Sequence, residues 1–182
     1  MRLEKLLSGA FVALSLVLAT TGAVAADAAQ IGAESQAALK ALYAKTPAAQ
    51  ALGEKAKAIL VFPNVKKAGL GVGGQYGEGA LIQNGAVVGY FSTAGASFGL
   101  QAGVEKFSYA MFFMTDEIIQ EFKTSKGFEV GVGPDIVIID EGRAKNFTTA
   151  TIQEDIYAFI FGQKGLMAGL GIKGNKITKI EK

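Results

Sequence analysis

The pattern of apolar and polar residues divides the chain into three parts. Residues 6–19 form an apolar run that only three small residues interrupt. Residues 26–59 are rich in Ala and poor in Gly, and apolar side chains recur there at helical spacing. From residue 59 onward, short apolar stretches alternate with glycines and turn residues, which is typical of strands. The pattern therefore predicts a leader, a helical segment and a β-rich region.

The first part has the layout of a secretory signal peptide. Arg2 and Lys5 precede the apolar run, and Ala23-Val24-Ala25 supplies the small residues of a cleavage site. The run is too short to span a bilayer comfortably, so a retained anchor helix is the less favoured alternative. We predict a signal peptide at residues 1–25 and an exported protein, periplasmic or associated with an outer membrane, with secretion as a further alternative.

Residues 26–55 are predicted to form a helical N-terminal segment. Leu39, Leu42 and Tyr43 make a narrow apolar stripe on a first helix. Thr46-Pro47 then predicts a break, because Pro is favoured at the first position of a helix and Thr can cap it.

The remaining residues, 56–182, are predicted to form one β-rich domain. Residues 59–62 read as a first buried strand that ends at Pro63-Asn64, and Asn84-Gly85 is the strongest hairpin signal, because a tight hairpin turn needs two positive φ angles. Gly174-Asn175 is a second such signal. The other predicted strands are residues 80–83, 86–91, 96–103, 107–114, 128–132, 136–139, 157–161, 166–173 and 176–180.

One internal helix is predicted within this domain, at residues 116–122, where Thr115 provides an N-cap. The predicted fold is mainly β with α, in the α+β class. Its β-core is a compact barrel or sandwich of about eight or nine strands, with N-terminal helices and the internal helix packed against it. Phe107, Tyr109 and Phe113 should lie on one face of their strand and Phe112 on the other, as in a buried central strand.

The absence of His and Cys excludes the commonest kinds of catalytic site. Ser-His-Asp and Cys-His nucleophiles cannot form, nor can zinc sites built on imidazole or thiolate. Carboxylate pairs remain, but each has a helix-start or turn explanation. We therefore expect no enzymatic activity, no catalytic residue, no metal and no cofactor. The pairs are Asp116-Glu117, Asp140-Glu141 and Glu154-Asp155.

Residues 69–74, GLGVGG, have the spacing of a dinucleotide-binding loop. That loop needs a helix directly after the glycines and an acidic residue about twenty positions on. The following residues are predicted to form a strand, and no acidic residue lies between Glu78 and Glu105. The glycines are better explained by strand curvature.

Four lysines are the candidate lipid-binding residues: Lys55, Lys57, Lys66 and Lys67. Without the signal peptide the chain is nearly neutral, so its net charge gives no reason to expect nucleic acid binding. A local lysine cluster can keep strand edges soluble, or it can attract anionic headgroups at about 1 kcal/mol per charge. The residues alone leave both interpretations open.

The region from about residue 56 to residue 180 carries a series of sequence motifs. They are residues 58–63 (AILVFP), 67–69 (KAG), 73–79 (GGQYGEG), 97–103 (SFGLQAG), 111–117 (MFFMTDE), 127–132 (GFEVGV) and 157–167 (YAFIFGQKGLM). In these motifs and their order the chain resembles the SYLF domain family.

The resemblance implies a compact β-rich domain that binds phospholipid, with no established enzymatic activity. In eukaryotic members, lipid binding is associated with a basic, amphipathic N-terminal segment, which corresponds here to residues 40–67. Actin binding belongs to some eukaryotic relatives and is not carried over.

The leading hypothesis is a non-enzymatic protein of the bacterial cell envelope that binds phospholipid or an anionic membrane surface. An envelope protein-interaction or structural module with incidental lipid contact is the alternative. A small outer-membrane β-barrel is less favoured, because the strands lack its regular apolar-out, polar-in alternation. The identity of the lipid and the oligomeric state are left open.

Overall fold

The computed structural model describes residues 27–132, 134–144, 147, 153–165 and 171–182. The predicted signal peptide lies outside these residues. So do residues 166–170 of the predicted strand at residues 166–173, whereas residues 171–173 are described and are not in a strand. The predicted hairpin at Gly174-Asn175 is wrong, because residues 176–177 pair with residues 93–94 on one side and with residues 128–129 on the other.

Two helices open the described part of the chain, α1 (Ala28–Lys45) and α2 (Pro47–Gly53). The predicted break at Thr46-Pro47 is confirmed, with Pro47 at the first position of α2, where a helix needs no N–H donor. Thr46 lies at the N-cap position, but the predicted cap is wrong, since its side chain makes no capping hydrogen bond. The Asp27 side chain caps α1 by accepting a hydrogen bond from the Gln30 N–H at 2.7 Å. None of the described helices combines the length and the apolar character that crossing a membrane requires.

A single sheet of six strands makes up most of the described structure. Strand β1 (Ala58–Gln83) and strand β2 (Ala86–Phe113) pair antiparallel over their whole lengths. The predicted turn between them is confirmed, since both Asn84 and Gly85 have positive φ. The later elements are α3 (Asp116–Thr124), β3 (Phe128–Glu129), β4 (Ile136–Ile139), α4 (Glu141–Ala144), β5 (Ile156–Gly165) and β6 (Lys176–Ile180).

The second edge of β2 is shared between two shorter strands. Strand β6 pairs with residues 90–94 of β2, and β5 pairs with residues 105–113, both antiparallel. Strand β4 adds to β5 in parallel, and β3 adds to β6. Strand β2 is therefore the centre of the sheet.

The long β1–β2 ribbon doubles over on itself. The Tyr109 hydroxyl and the Thr93 hydroxyl, both on β2, are joined by a 2.7 Å hydrogen bond. On β1, a Cβ added to Gly79 would collide with the Val61 carbonyl oxygen, so two parts of one strand cross in contact. The sheet thus curls as half of a barrel does and encloses an aromatic core between the two arms of the ribbon.

The number of predicted strands was too high, because separate predictions fall on one continuous strand. Residues 59–62 and 80–83 both belong to β1, and residues 86–91, 96–103 and 107–113 all belong to β2. Register shifts within the ribbon bend each strand without ending it. The mainly β fold with helices is confirmed, and a single curled sheet replaces the predicted barrel or sandwich of eight or nine strands.

Both faces of β2 are covered, as predicted from its aromatic residues. Phe107, Tyr109 and Phe113 lie in the core enclosed by the ribbon. Phe112 lies in a second core on the opposite face, beneath α1 and α2, where its ring is 5.5 Å from that of Phe159. Residues of the helices that enter this second core include Leu39, Leu42, Ala49 and Leu52.

The internal helix α3 closes one end of the enclosed core. Its predicted cap is confirmed, since the Thr115 hydroxyl accepts a hydrogen bond from the Ile118 N–H at 3.4 Å. The Phe122 ring lies 4.9 Å from the rings of both Phe91 and Phe113. Aromatic pairs at such separations add to the stabilisation that burial of apolar area provides.

A polar pair is buried inside the ribbon. Lys67 on β1 is 2% exposed and lies directly opposite Glu105 on β2, which is 4% exposed. Burial raises the pKa of the Glu105 carboxyl above its ordinary value of 4.5, and the positive charge of Lys67 opposes this rise.

We expect Gly79→Ala to lower the free energy of unfolding by about 2–3 kcal/mol, because the added methyl group meets the backbone of the crossing arm. The matched control is Gly74→Ala, whose Cβ has only the Gly95 carbonyl oxygen at 3.8 Å and should change stability by less than about 1 kcal/mol. Urea denaturation measures both. If the two substitutions lowered the free energy of unfolding equally, the close crossing of β1 at Gly79 and Val61 would be contradicted.

The raised pKa of Glu105 predicts a pH dependence of stability. As pH rises through 4.5 the unfolded chain releases this proton first, so the folded state loses stability until the pH exceeds the raised folded-state pKa. Relative to wild type, Glu105→Gln should therefore become more stable as the pH rises above 4.5, until the raised folded-state pKa is passed. Urea denaturation across this range gives the slope, and a difference that is constant with pH would contradict the assignment.

Candidate functional site

A β-bulge in β1 controls which of its side chains face outward. Phe62 pairs with Tyr109 and Val65 with Phe107, so Pro63 and Asn64 together lie opposite Ser108. Proline has no N–H to donate to the ladder, but its carbonyl is paired, because it accepts a hydrogen bond from the Ser108 hydroxyl on β2 at 2.7 Å.

A second bulge lies across β2, in strand β5. Ser108 pairs with Phe161 and Lys106 with Lys164, so two residues of β5 span the interval that Phe107 alone fills on β2. Gly162 takes a φ of +66° here, a left-handed conformation that glycine adopts without strain. A bulge shifts the alternation of side chains by one residue. The two bulges therefore determine which side chains of β1 and β5 lie on the same face as a given side chain of β2.

The consequence is a row of three lysines across three neighbouring strands. Lys66 of β1 pairs with Lys106 of β2, which pairs in turn with Lys164 of β5. All three are exposed, and none forms an ion pair with an acidic residue in the described part of the chain. Directly opposed side chains share a face with Cβ atoms about 4.5–5.5 Å apart, at which distance like charges destabilise a sheet. We call Lys66, Lys106 and Lys164 the lysine row.

An open groove of about 670 Å³ adjoins the lysine row on the side of the helices. Helix α1 forms one wall with Ala38, Ala41, Leu42 and Lys45, which recur at helical spacing. Two members of the lysine row, Lys106 and Lys164, also line this groove. The other lining residues are Thr46, Pro47, Ala48, Pro63, Asn64, Ser108, Ala144, Phe147, Phe161 and Gly162.

Helix α1 is fixed over the bulge of β1 by two hydrogen bonds. The Ser35 hydroxyl donates to the Val61 carbonyl oxygen at 3.2 Å, and the Asn64 amide donates to the Glu34 carboxylate at 2.6 Å. These bonds hold the helix beside the strand at one side of the groove.

Apolar side chains continue the same face on the other side of the lysine row. Ala68 and Leu70 follow Lys66 at alternate positions of β1, and Val104 lies opposite Ala68 on β2. Leu70 is 83% exposed and Val104 is 69% exposed. The lysine row therefore has apolar surface on both of its sides.

The structure separates the four lysines that the sequence grouped together. Lys66 belongs to the lysine row, whereas its neighbour Lys67 is buried against Glu105, because adjacent strand residues point to opposite faces. Lys55 and Lys57 are exposed and come just before the start of β1, so eight strand residues, roughly 25 Å of extended chain, separate them from Lys66. The Lys57 ammonium lies 3.9 Å from the Asp116 carboxylate.

Sequence reasoning missed three lysines of this face: Lys45, Lys106 and Lys164. Lys45 could have been found from its helical spacing to the predicted stripe at Leu42. Lys106 and Lys164 are distant in sequence, and only the register of β2 with β5 brings them together. The described residues contain no cluster of three or more acidic side chains that could hold a metal ion.

These features define a mainly β domain with a basic face next to an apolar groove. Residues 94–182 match the model of the family described as "Ysc84: Las17-binding protein actin regulator", which is the SYLF domain family. The match agrees with the resemblance seen in the sequence. No curated protein matches the chain.

The repulsion within the lysine row predicts that its central member destabilises the fold. Lys106→Gln should raise the free energy of unfolding by about 0.2–1 kcal/mol, and the gain should shrink as salt screens the charges. The control is Lys126→Gln, which removes a charge from an exposed lysine outside the row. Urea denaturation at low and high salt measures the free energy of unfolding of both variants. A Lys106→Gln variant less stable than wild type would show that repulsion within the lysine row does not destabilise the fold.

Proposed function

We propose that this protein binds anionic phospholipid at a membrane surface and catalyses no reaction. The observation that carries the proposal is the lysine row with apolar surface on both sides. Phosphate headgroups attract the lysines, while exposed side chains such as Leu70 and Val104 can enter the apolar boundary of the bilayer.

The strength of this interaction follows from the local charge. Each lysine near an anionic membrane contributes about 1 kcal/mol, and this contribution falls as salt screens the surface. The apolar side chains add a part that salt does not weaken. Since the chain as a whole carries little net charge, attraction of the whole protein to an anionic surface adds little to this local contribution.

The proposal includes a location and the absence of catalysis. The signal peptide predicted at residues 1–25 supports export to the cell envelope, in the periplasm or at the outer membrane. The lack of His and Cys supports a binding role, as does the placement of Asp116 and Glu117 in the first turn of α3, where acids stabilise a helix.

A protein-interaction module is the second candidate. The family description names binding to the protein Las17 and regulation of actin, and both are roles in protein assembly. Exposed apolar residues such as Leu70 and Val72 suit a protein partner as well as a bilayer. Failure of the wild-type protein to bind either anionic or zwitterionic vesicles would favour this candidate.

Co-sedimentation with liposomes tests the proposal. Residues 26–182 should bind vesicles that contain phosphatidylglycerol and bind zwitterionic vesicles weakly. The triple variant Lys66→Gln, Lys106→Gln, Lys164→Gln should lose about 100-fold in affinity for the anionic vesicles. Raising the salt concentration should weaken wild type more than the variant.

Two further variants locate the site. Lys40→Gln, Lys126→Gln, Lys173→Gln removes the same charge from exposed positions outside the row and should keep most of the affinity. Lys55→Gln, Lys57→Gln tests the other exposed lysines predicted from the sequence, and we expect a smaller loss from it. If the row variant and its charge-matched control lost equal affinity, the lysine row would not be the site.

A further inference from the structure

The groove beside the lysine row has the chemistry of a site for one acyl chain. Its walls are mostly apolar, with alanines and Leu42 on α1 facing the aromatic residues Phe147 and Phe161. Small side chains on the helix leave the space open, whereas larger ones would fill it. At about 670 Å³ the groove falls within the range of roughly 300–1,000 Å³ that is common for small-molecule sites.

The described charged side chains that line the groove are all positive. Lys45, Lys106 and Lys164 line it, and no acidic residue is present among its described lining residues. Lys45 also lies in the last turn of α1, where a cation stabilises the helix dipole. Lys106 and Lys164 have no such role, and their opposition across two strands is unfavourable until an anion lies between them.

The polar side chains of Ser108 and Asn64 in the bulge region are already hydrogen-bonded within the protein, so they do not compete with the lysines for an anionic headgroup. The Ser108 hydroxyl is engaged with the Pro63 carbonyl, and the Asn64 amide donates to Glu34. The lysines are therefore the groups that a headgroup would meet, and the apolar walls lie directly beside them.

We propose that the groove binds a single-chain anionic lipid, a fatty acid or a lysophospholipid, as an individual molecule. Its acyl chain lies between α1 and the aromatic residues of β5 and the segment after α4, and its headgroup lies on Lys106 and Lys164. This inference rests on the proposed function, because it assigns a particular lipid class to part of the same face. It adds that the protein holds one lipid away from the bilayer.

Isothermal titration calorimetry with fatty acids below their micelle concentration tests this inference. Wild-type protein should bind one laurate, and myristate should bind about tenfold more tightly because two more methylene groups are buried. Lauroyl lysophosphatidylglycerol, titrated in parallel, distinguishes a carboxylate headgroup from a phosphate, and binding of either supports the site. Lys106→Gln, Lys164→Gln should weaken laurate at least tenfold and leave dodecanol unchanged.

A pair of matched tryptophan substitutions on α1 locates the acyl chain. Ala41 lines the groove and is exposed, so Ala41→Trp should fill the groove without disturbing the core, and it should weaken laurate at least tenfold. Ala33 is also exposed on α1 but does not line the groove, and Ala33→Trp should bind laurate as wild type does.

Vesicle co-sedimentation separates this inference from the proposed function. Ala41→Trp should bind phosphatidylglycerol vesicles like wild type, because the lysine row and Leu70 are intact and a tryptophan leaves the groove side of the row apolar. Unchanged laurate affinity in Ala41→Trp, or wild type that binds vesicles but no single-chain lipid, would overturn the groove assignment alone. Equal loss of laurate and vesicle binding would also overturn it, since the groove would then serve the membrane surface. Failure of wild type to bind any vesicle would instead refute the proposed function.

Discussion

The alternation of side chains along a continuous strand is the constraint on which this structure depends. In a strand, each residue faces opposite to its neighbours, so one inserted residue moves every later side chain to the other face. The bulge at Pro63-Asn64 places Lys66 outward and Lys67 inward, and the bulge at Gly162 brings Lys164 onto the face of Lys106. The lysine row exists because both insertions place a lysine on the same face of the sheet as Lys106.

Stability and the candidate site oppose one another in this arrangement. The enclosed aromatic core and the second core beneath the helices stabilise the fold, and each buries one face of β2. The lysine row destabilises the same strands, because its charges face one another without acidic partners in the described part of the chain. A surface of this kind is expected where binding an anion relieves the repulsion.

Local signals in the sequence predicted the local parts of the fold. Asn84-Gly85, Thr46-Pro47 and Thr115 each act through their own backbone neighbours, and each stands where it was predicted. The strand that was predicted to end at Pro63 continues instead, because a bulge places Pro63 and Asn64 together opposite Ser108, a distant residue whose hydroxyl donates to the Pro63 carbonyl. Propensity rules for neighbours along the chain cannot include such a partner.

The candidate site was predictable only in part for the same reason. Lys66 was found because it lies in a cluster along the sequence, and Lys67 was grouped with it although adjacent strand residues cannot share a face. Lys106 and Lys164 meet through the register of β2 with β5, a relation that depends on both bulges. The groove arises from the packing of α1 on β1, and the small alanines that create it looked like a weak helical stripe in the sequence.

The length of the β1–β2 ribbon has a consequence for the order of folding. Pairing near the Asn84-Gly85 turn closes a short loop, whereas Ala58 must find Phe113 across more than fifty residues. The ribbon should therefore form from its turn outward, and its open ends should pair last. The ends of the ribbon at Ala58 and Phe113 would then complete late in folding and open first in partial unfolding. Hydrogen exchange at backbone amides would be faster near these ends than beside the turn.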